Sequence, residues 1–298
     1  MSWMLAWQTL SDATVSGPEV AVVMGAAAVM WGLLGWAGVW RPGTLGRAPR
    51  RELGVGRWDL VAAGVVFALI GSDKVAVDGL QNAAGWWRLS PTVEAALRQL
   101  SQAGVLAGLF YFFCKAALSE AGWRRSGVVP RRPLRDLVYG GAGVVVGFIT
   151  TAAVLMATNL IATWFEDPSP PVNHGVLTQM HELQAQGRWD VILGLMLSAI
   201  VIGPLLEEVL FRGLLQTWLL TVFGRSGAGR WATLGVAAAL FGLTHLGATS
   251  WHALPGLMAL GLVLGWLYER TGSLWPGVLA HAGFNVINVA MVLSGGGV

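Results

Sequence analysis

Residues 191–212 read VILGLMLSAIVIGPLLEEVLFR. From Val191 to Leu206 there is no charge; then come Glu207 and Glu208, and Arg212 follows four residues after Glu208. With its flanks the run extends from Trp189 to Trp218, long enough for a helix to cross a bilayer. Two adjacent carboxylates at membrane depth are expensive, at ~2.5–3.5 kcal/mol for each charged residue on insertion scales. On a helix, Arg212 can neutralise Glu208 as an i,i+4 pair. Glu207 points about 100° away and has no such local partner. Pro204, three residues earlier, can kink the helix and free a backbone carbonyl. A structural Glu–Arg pair accounts for Glu208 and Arg212 but leaves Glu207 unexplained.

The rest of the chain has the same character. Of 298 residues, 55% are apolar and only 12% charged, and mean hydropathy is +0.61; soluble domains carry about 25% charged residues. This excludes a disordered chain, a disulfide-rich secreted domain and an ordinary cytosolic enzyme. The one cysteine, Cys114, permits neither an intrachain disulfide nor a cysteine zinc site. Fourteen of the 19 Lys and Arg precede Asp136, in short clusters between apolar runs. They read as topology signals rather than a nucleic-acid face. Trp residues at run ends, Trp36, Trp189 and Trp275 among them, fit interfacial anchors.

The expected fold is an all-α polytopic bundle of about eight spans: 20–40, a weaker one from 59, 103–118, 137–165, 189–218, 231–246, 252–268 and 274–293. Two five-arginine loops, Arg41 to Arg57 and Arg124 to Arg135, set the cytoplasmic side. Both termini then lie outside, as does the segment Glu166–Arg188, with three acids, one arginine and three prolines. The chain divides into N-terminal helices with basic loops, 1–136, and a core, 137–298, that carries the chemistry. GxxxG spacings at Gly104/Gly108, Gly143/Gly147 and Gly261/Gly265 are explained by close helix packing.

Two further polar pairs interrupt apolar spans at helical spacing: Phe241 with His245, and His281 with Asn285. A lone intramembrane histidine is ordinarily a hydrogen-bonding residue between helices. Two histidines, an acid pair and an asparagine on three of the last four spans supply more. They offer a base, imidazoles that donate hydrogen bonds or bind metal, and an amide for an oxyanion. Glu207, His245 and His281 also fit a two-histidine, one-carboxylate zinc site with an open position. His181-Glu182 begins like a zincin helix, but residue 185 is Ala and the second ligand is missing. His174 and His252 are expected to face solvent, and Asp73, Lys74 and Asp78 to lie at a surface. Serine and aspartyl intramembrane motifs are absent.

With Glu207-Glu208-x-x-x-Arg212, Phe241-x-x-x-His245 and His281-x-x-x-Asn285 in that order, the chain resembles the CPBP intramembrane proteases, the group of the Ras-converting CAAX endopeptidase and of bacteriocin-processing and immunity proteins. The resemblance implies a multi-helix endopeptidase that cleaves near a membrane anchor: a lipidated tail, a leader peptide or a C-terminal sorting helix. It implies that Glu207 and His245 activate a water, that His281 and Asn285 stabilise the oxyanion, that Arg212 orients the acid pair and that Phe241 packs one turn before His245. Zinc-dependent and glutamate-dependent hydrolysis both stay open. The implied partners are a membrane-anchored peptide or protein substrate and the bilayer, with no nucleic acid. The expected location is a bacterial plasma membrane. A proton- or ion-coupled transporter is the alternative from another class, since intramembrane Glu, His and Arg also form proton relays. A non-catalytic immunity or scaffold protein is the third.

Overall fold

The computed structural model describes residues 17–39, 127–130, 132–164, 175–246 and 248–294, with seven isolated positions between 45 and 111. Among them the chain is helical and has no strand. Seven helices follow in order: α1 Gly17–Trp36, α2 Pro133–Trp164, α3 Gly175–Ala185, α4 Trp189–Phe223, α5 Gly227–Leu243, α6 Leu254–Thr271 and α7 Trp275–Leu293.

Among the described residues four segments are long and apolar enough to cross a membrane: Pro133–Ala162, Trp189–Phe223, Trp251–Thr271 and Trp275–Leu293. They coincide with four of the eight expected spans. The apolar part of α1, Val20–Trp36, has 17 residues, as does α5. At 1.5 Å per residue these reach about 25 Å, the lower end for a hydrocarbon core of about 30 Å. The second and third expected spans, with Cys114, Asp73, Lys74 and Asp78, lie outside the described residues.

Lipid removes the hydrophobic drive between spans, so the bundle is held by close backbone approach and buried polar contacts. Helix α2 packs across α6 and α7 through its GxxxG pair. A Cβ on Gly143 would stand 2.7 Å from Leu267 and 2.8 Å from Ala280, and one on Gly147 3.0 Å from Leu260. Beneath this face Leu260, Val263, Leu264, Leu267, Ala280 and Phe284 form one core cluster. The turn from α6 to α7 uses Gly272 at φ 70°, and α2 clips onto it. Ser273 Oγ donates to Asp136 (2.8 Å) and Arg135 to the Thr271 carbonyl (2.9 Å).

The segment expected to be an outside loop contains α3, which packs on α4 and α7. Met180 and Leu183 are buried against Val191, Ile192, Leu195 and Val289. The apolar positions 176, 177, 180 and 183 have helical spacing, a signal that the prolines and acids upstream obscured.

Candidate active site

Helix α4 carries the acid pair, and its backbone is not α-helical throughout. Two stretches, Ser198–Ile202 and Val209–Gln216, wind as π-helix on either side of Glu207 and Glu208. The first has a covalent cause. Gly203 N–H reaches five residues back to the Ser198 carbonyl, and Pro204 has no N–H to offer. Ala199 O therefore receives neither the i+4 nor the i+5 donor. The Asn285 side chain on α7 fills the gap, its Nδ2 donating to Ala199 O at 2.7 Å. The carbonyl freed by Pro204 is thus one point where α7 is tied to α4.

Two turns before Asn285 on α7 lies Gly277, and between them His281. Glu208 fits against Gly277 so closely that a Cβ there would stand 2.6 Å from its Oε2. Glu208 is fully buried, with Oε1 3.0 Å from Arg212 Nη1 and 3.2 Å from His281 Nδ1. Arg212 also donates from Nη2 to the Gly261 carbonyl of α6 (3.1 Å). The Glu207 side chain keeps 21% of its surface exposed, and its Oε2 stands 3.8 Å from His281 Nε2. That oxygen is itself buried without a hydrogen-bond partner. The two carboxylates thus bracket one imidazole, and Glu207, expected to lack a local partner, has its neighbour on α7.

Phe241, on α5 and fully buried, connects the remaining groups. The Arg212 guanidinium lies 4.7 Å from its ring centroid, a cation–π contact. The His245 and His281 rings flank it at 5.2 and 5.7 Å, and Phe211 meets it edge-on at 5.2 Å. Phe241 therefore touches more than its own helical neighbour, and it carries the convergence of α4, α5 and α7. His245 itself lies past the end of α5, which stops at Leu243. A hydrogen bond from Nδ1 to Phe241 O (2.9 Å) holds it over the helix terminus. A carbonyl only accepts, so Nδ1 carries the proton and Nε2 the lone pair. The same reasoning applied to Glu208 gives His281 the same tautomer.

Six of the seven expected site residues, Glu207, Glu208, Arg212, Phe241, His245 and His281, thus form one connected set. Asn285 differs from expectation, because one of its amide hydrogens already serves Ala199. His252, expected at a surface, is buried against the Trp251 ring (3.9 Å) where the short Trp251–Ala253 turn leads into α6. His181 lies half-buried on α3 with Glu182 exposed, and His174 is outside the described residues. Both imidazoles present an Nε2 lone pair, which suits metal ligation. Yet among the described residues no three His, Cys, Asp or Glu side chains are grouped so as to hold an ion. As placed, Glu207, His245 and His281 do not make the zinc set expected from spacing.

Three polar residues escaped the sequence reading. Gln216 on α4, Arg230 on α5 and Glu269 on α6 are all buried and bonded to one another. Arg230 and Glu269 each fall just beyond an expected span, 231–246 and 252–268, where a charge is ordinarily solvated. The available signal was period: Glu208, Arg212 and Gln216 step by four, as do Gly261, Gly265 and Glu269.

No curated protein and no solved structure matches the chain. Residues 189–287, the stretch from the start of α4 to just past Asn285, match the Rce1-like family of type II CAAX prenyl endopeptidases. In this stretch, which holds all seven candidate residues, the chain is similar to CAAX-type membrane proteases, in agreement with the three motifs on Glu207–Arg212, Phe241–His245 and His281–Asn285.

Proposed function

We propose that the protein is an intramembrane endopeptidase of a plasma membrane that hydrolyses a peptide bond beside a membrane anchor, with Glu207 as general base. The observation that carries this reading is the placement of Glu207. Its carboxylate is partly exposed, with one oxygen buried, unpartnered and 3.8 Å from an imidazole, in the stretch similar to CAAX-type proteases. A gap of 3.8 Å is too long for a direct hydrogen bond, and the exposed part of the Glu207 side chain is where a water reaches the carboxylate. As that water attacks the scissile carbonyl carbon, Glu207 takes its proton and the carbonyl oxygen becomes an oxyanion. The C–N bond then breaks and the proton passes to the leaving amine, giving a new carboxyl terminus and a free amine. Glu208, neutralised by Arg212, stays a fixed acceptor for His281 Nδ1 and aims its Nε2 at the water. The proximity to Glu207 favours His281 for this role. His245, across the Phe241 ring, when protonated serves the oxyanion. No step is routed through a metal.

The test is product analysis. Purified protein in proteoliposomes is incubated with a farnesylated CAAX peptide and with an unlipidated transmembrane leader peptide. Mass spectrometry should find a defined cleavage product from at least one. Proton flux in the same vesicles with no peptide product from either would instead establish the transporter.

A further inference from the structure

Below the acid pair, α4 and α6 are joined by two rungs of equal sequence offset. Arg212 Nη2 donates to Gly261 O, and one turn further on Gln216 Nε2 donates to Gly265 O, both at 3.1 Å. The glycines make this approach possible. A Cβ on Gly261 would stand 3.1 Å from Ala238 and 3.2 Å from the Phe241 ring, and one on Gly265 3.0 Å from Gln216 Oε1. The other Gln216 amide hydrogen goes to Glu269 Oε1 (3.1 Å). The second Glu269 oxygen pairs with Arg230 Nη1, and Arg230 Nε donates to Arg225 O in the turn between α4 and α5. Arg212, Gln216, Arg230 and Glu269 are each no more than 3% exposed. The charges balance along the ladder, Arg212 against Glu208 and Arg230 against Glu269, while Gln216 Oε1 is buried without a hydrogen-bond partner.

The ladder ends on the reacting groups. Helix α6 contributes none of the seven candidate residues, yet it is the rail to which α4, bearing Glu207 and Glu208, and α5, bearing Phe241 and His245, are both pinned. We propose that Gln216, Arg230 and Glu269 are positioning residues for the hydrolytic site. By fixing the register of α4 and α5 on α6, they set where Arg212 stands, and through Arg212 and Glu208 the distance between Glu207 and His281. This rests on the protease reading above.

Removing Glu269 alone leaves Arg230 buried and unpaired and threatens folding, so the informative variant is the apolar pair Arg230→Met/Glu269→Leu. Replacing a buried ion pair by apolar residues of similar volume commonly preserves stability. Two readouts are taken on this variant and on Gln216→Leu, each confirmed folded by its melting temperature. The first is kcat and KM on whichever anchored peptide the wild type cleaves. The second is the rate at which a water-soluble carbodiimide modifies Glu207, read by peptide mass spectrometry, which needs no substrate. The expected result is a fall in kcat of about tenfold or more with KM unchanged, since small misplacements of reacting groups carry penalties of that size. Glu207 modification should change in rate as well. Wild-type kcat and wild-type Glu207 modification in a folded variant would overturn the proposal and leave the ladder a packing device. If the wild type cleaves neither peptide, the protease reading fails, and the Glu207 modification rate still decides whether the ladder sets that carboxylate.

Discussion

Glu208 is closed off from solvent between Arg212, His281 and Gly277, whereas the Glu207 side chain keeps 21% of its surface. This difference separates two near-identical substitutions. Glu208→Gln leaves the Arg212 guanidinium buried without its counter-ion and should cost about 3–5 kcal/mol of stability. Glu207→Gln removes a charge whose attraction to Arg212 is weaker than that of Glu208 and should shift stability by less than about 1 kcal/mol. Melting temperatures of the two proteins in one detergent check the contrast; equal losses would contradict it. Gly277→Ala tests the same seat from the other side. The added methyl would lie 2.6 Å from Glu208 Oε2, so the carboxylate must leave His281. Activity should fall at least as steeply as stability, and Gly277→Ser should do no better. Glu207, Glu208 and Arg212 were legible because charges in an apolar run are costly and therefore placed for a reason. That Glu207 would meet His281 rather than stand alone was not legible, since it depends on how α7 crosses α4.

At the scale of elements, the kink at Pro204 and the clamp at Asn285 are two halves of one device. In a Pro204→Ala protein residue 204 regains an N–H, and Ala199 O can be satisfied within α4. Asn285→Ala should then cost less stability in the Pro204→Ala background than in the wild type, with a difference near the ~1 kcal/mol worth of one hydrogen bond. Equal costs in both backgrounds would show that the Asn285 amide acts elsewhere. The sequence pattern made the proline and a freed carbonyl visible, and it placed α2, α4, α6 and α7 closely. It misjudged the ends of helices: α5 stops before His245, and α3 lies hidden in a segment rich in prolines and acids. Termini are set by capping contacts such as the bond from His245 to Phe241 O, made by residues whose identity alone does not announce them. The buried Arg230–Glu269 pair was obscured likewise, because charges at run ends read as solvated until a partner helix is seen beside them.

For the whole molecule, the motifs lie on or beside three separate helices, α4, α5 and α7, and spacing along one helix does not say how helices meet. Phe241 resolves this by touching both imidazoles and the arginine. Metal content tests a separate consequence of the placement. With no ready ligand group among the described residues, detergent-purified protein should carry substoichiometric zinc by plasma mass spectrometry. Near one zinc per chain, lost in His245→Ala/His281→Ala, would mean that the three groups close on an ion. The most direct measurement is cleavage of the anchored peptide by wild-type and Glu207→Gln protein at equal folded concentration in proteoliposomes. Loss of a general base predicts a fall in kcat of about 10²–10⁴-fold with the melting temperature unchanged. Undiminished cleavage by a folded Glu207→Gln protein would contradict the assignment of Glu207 as the base.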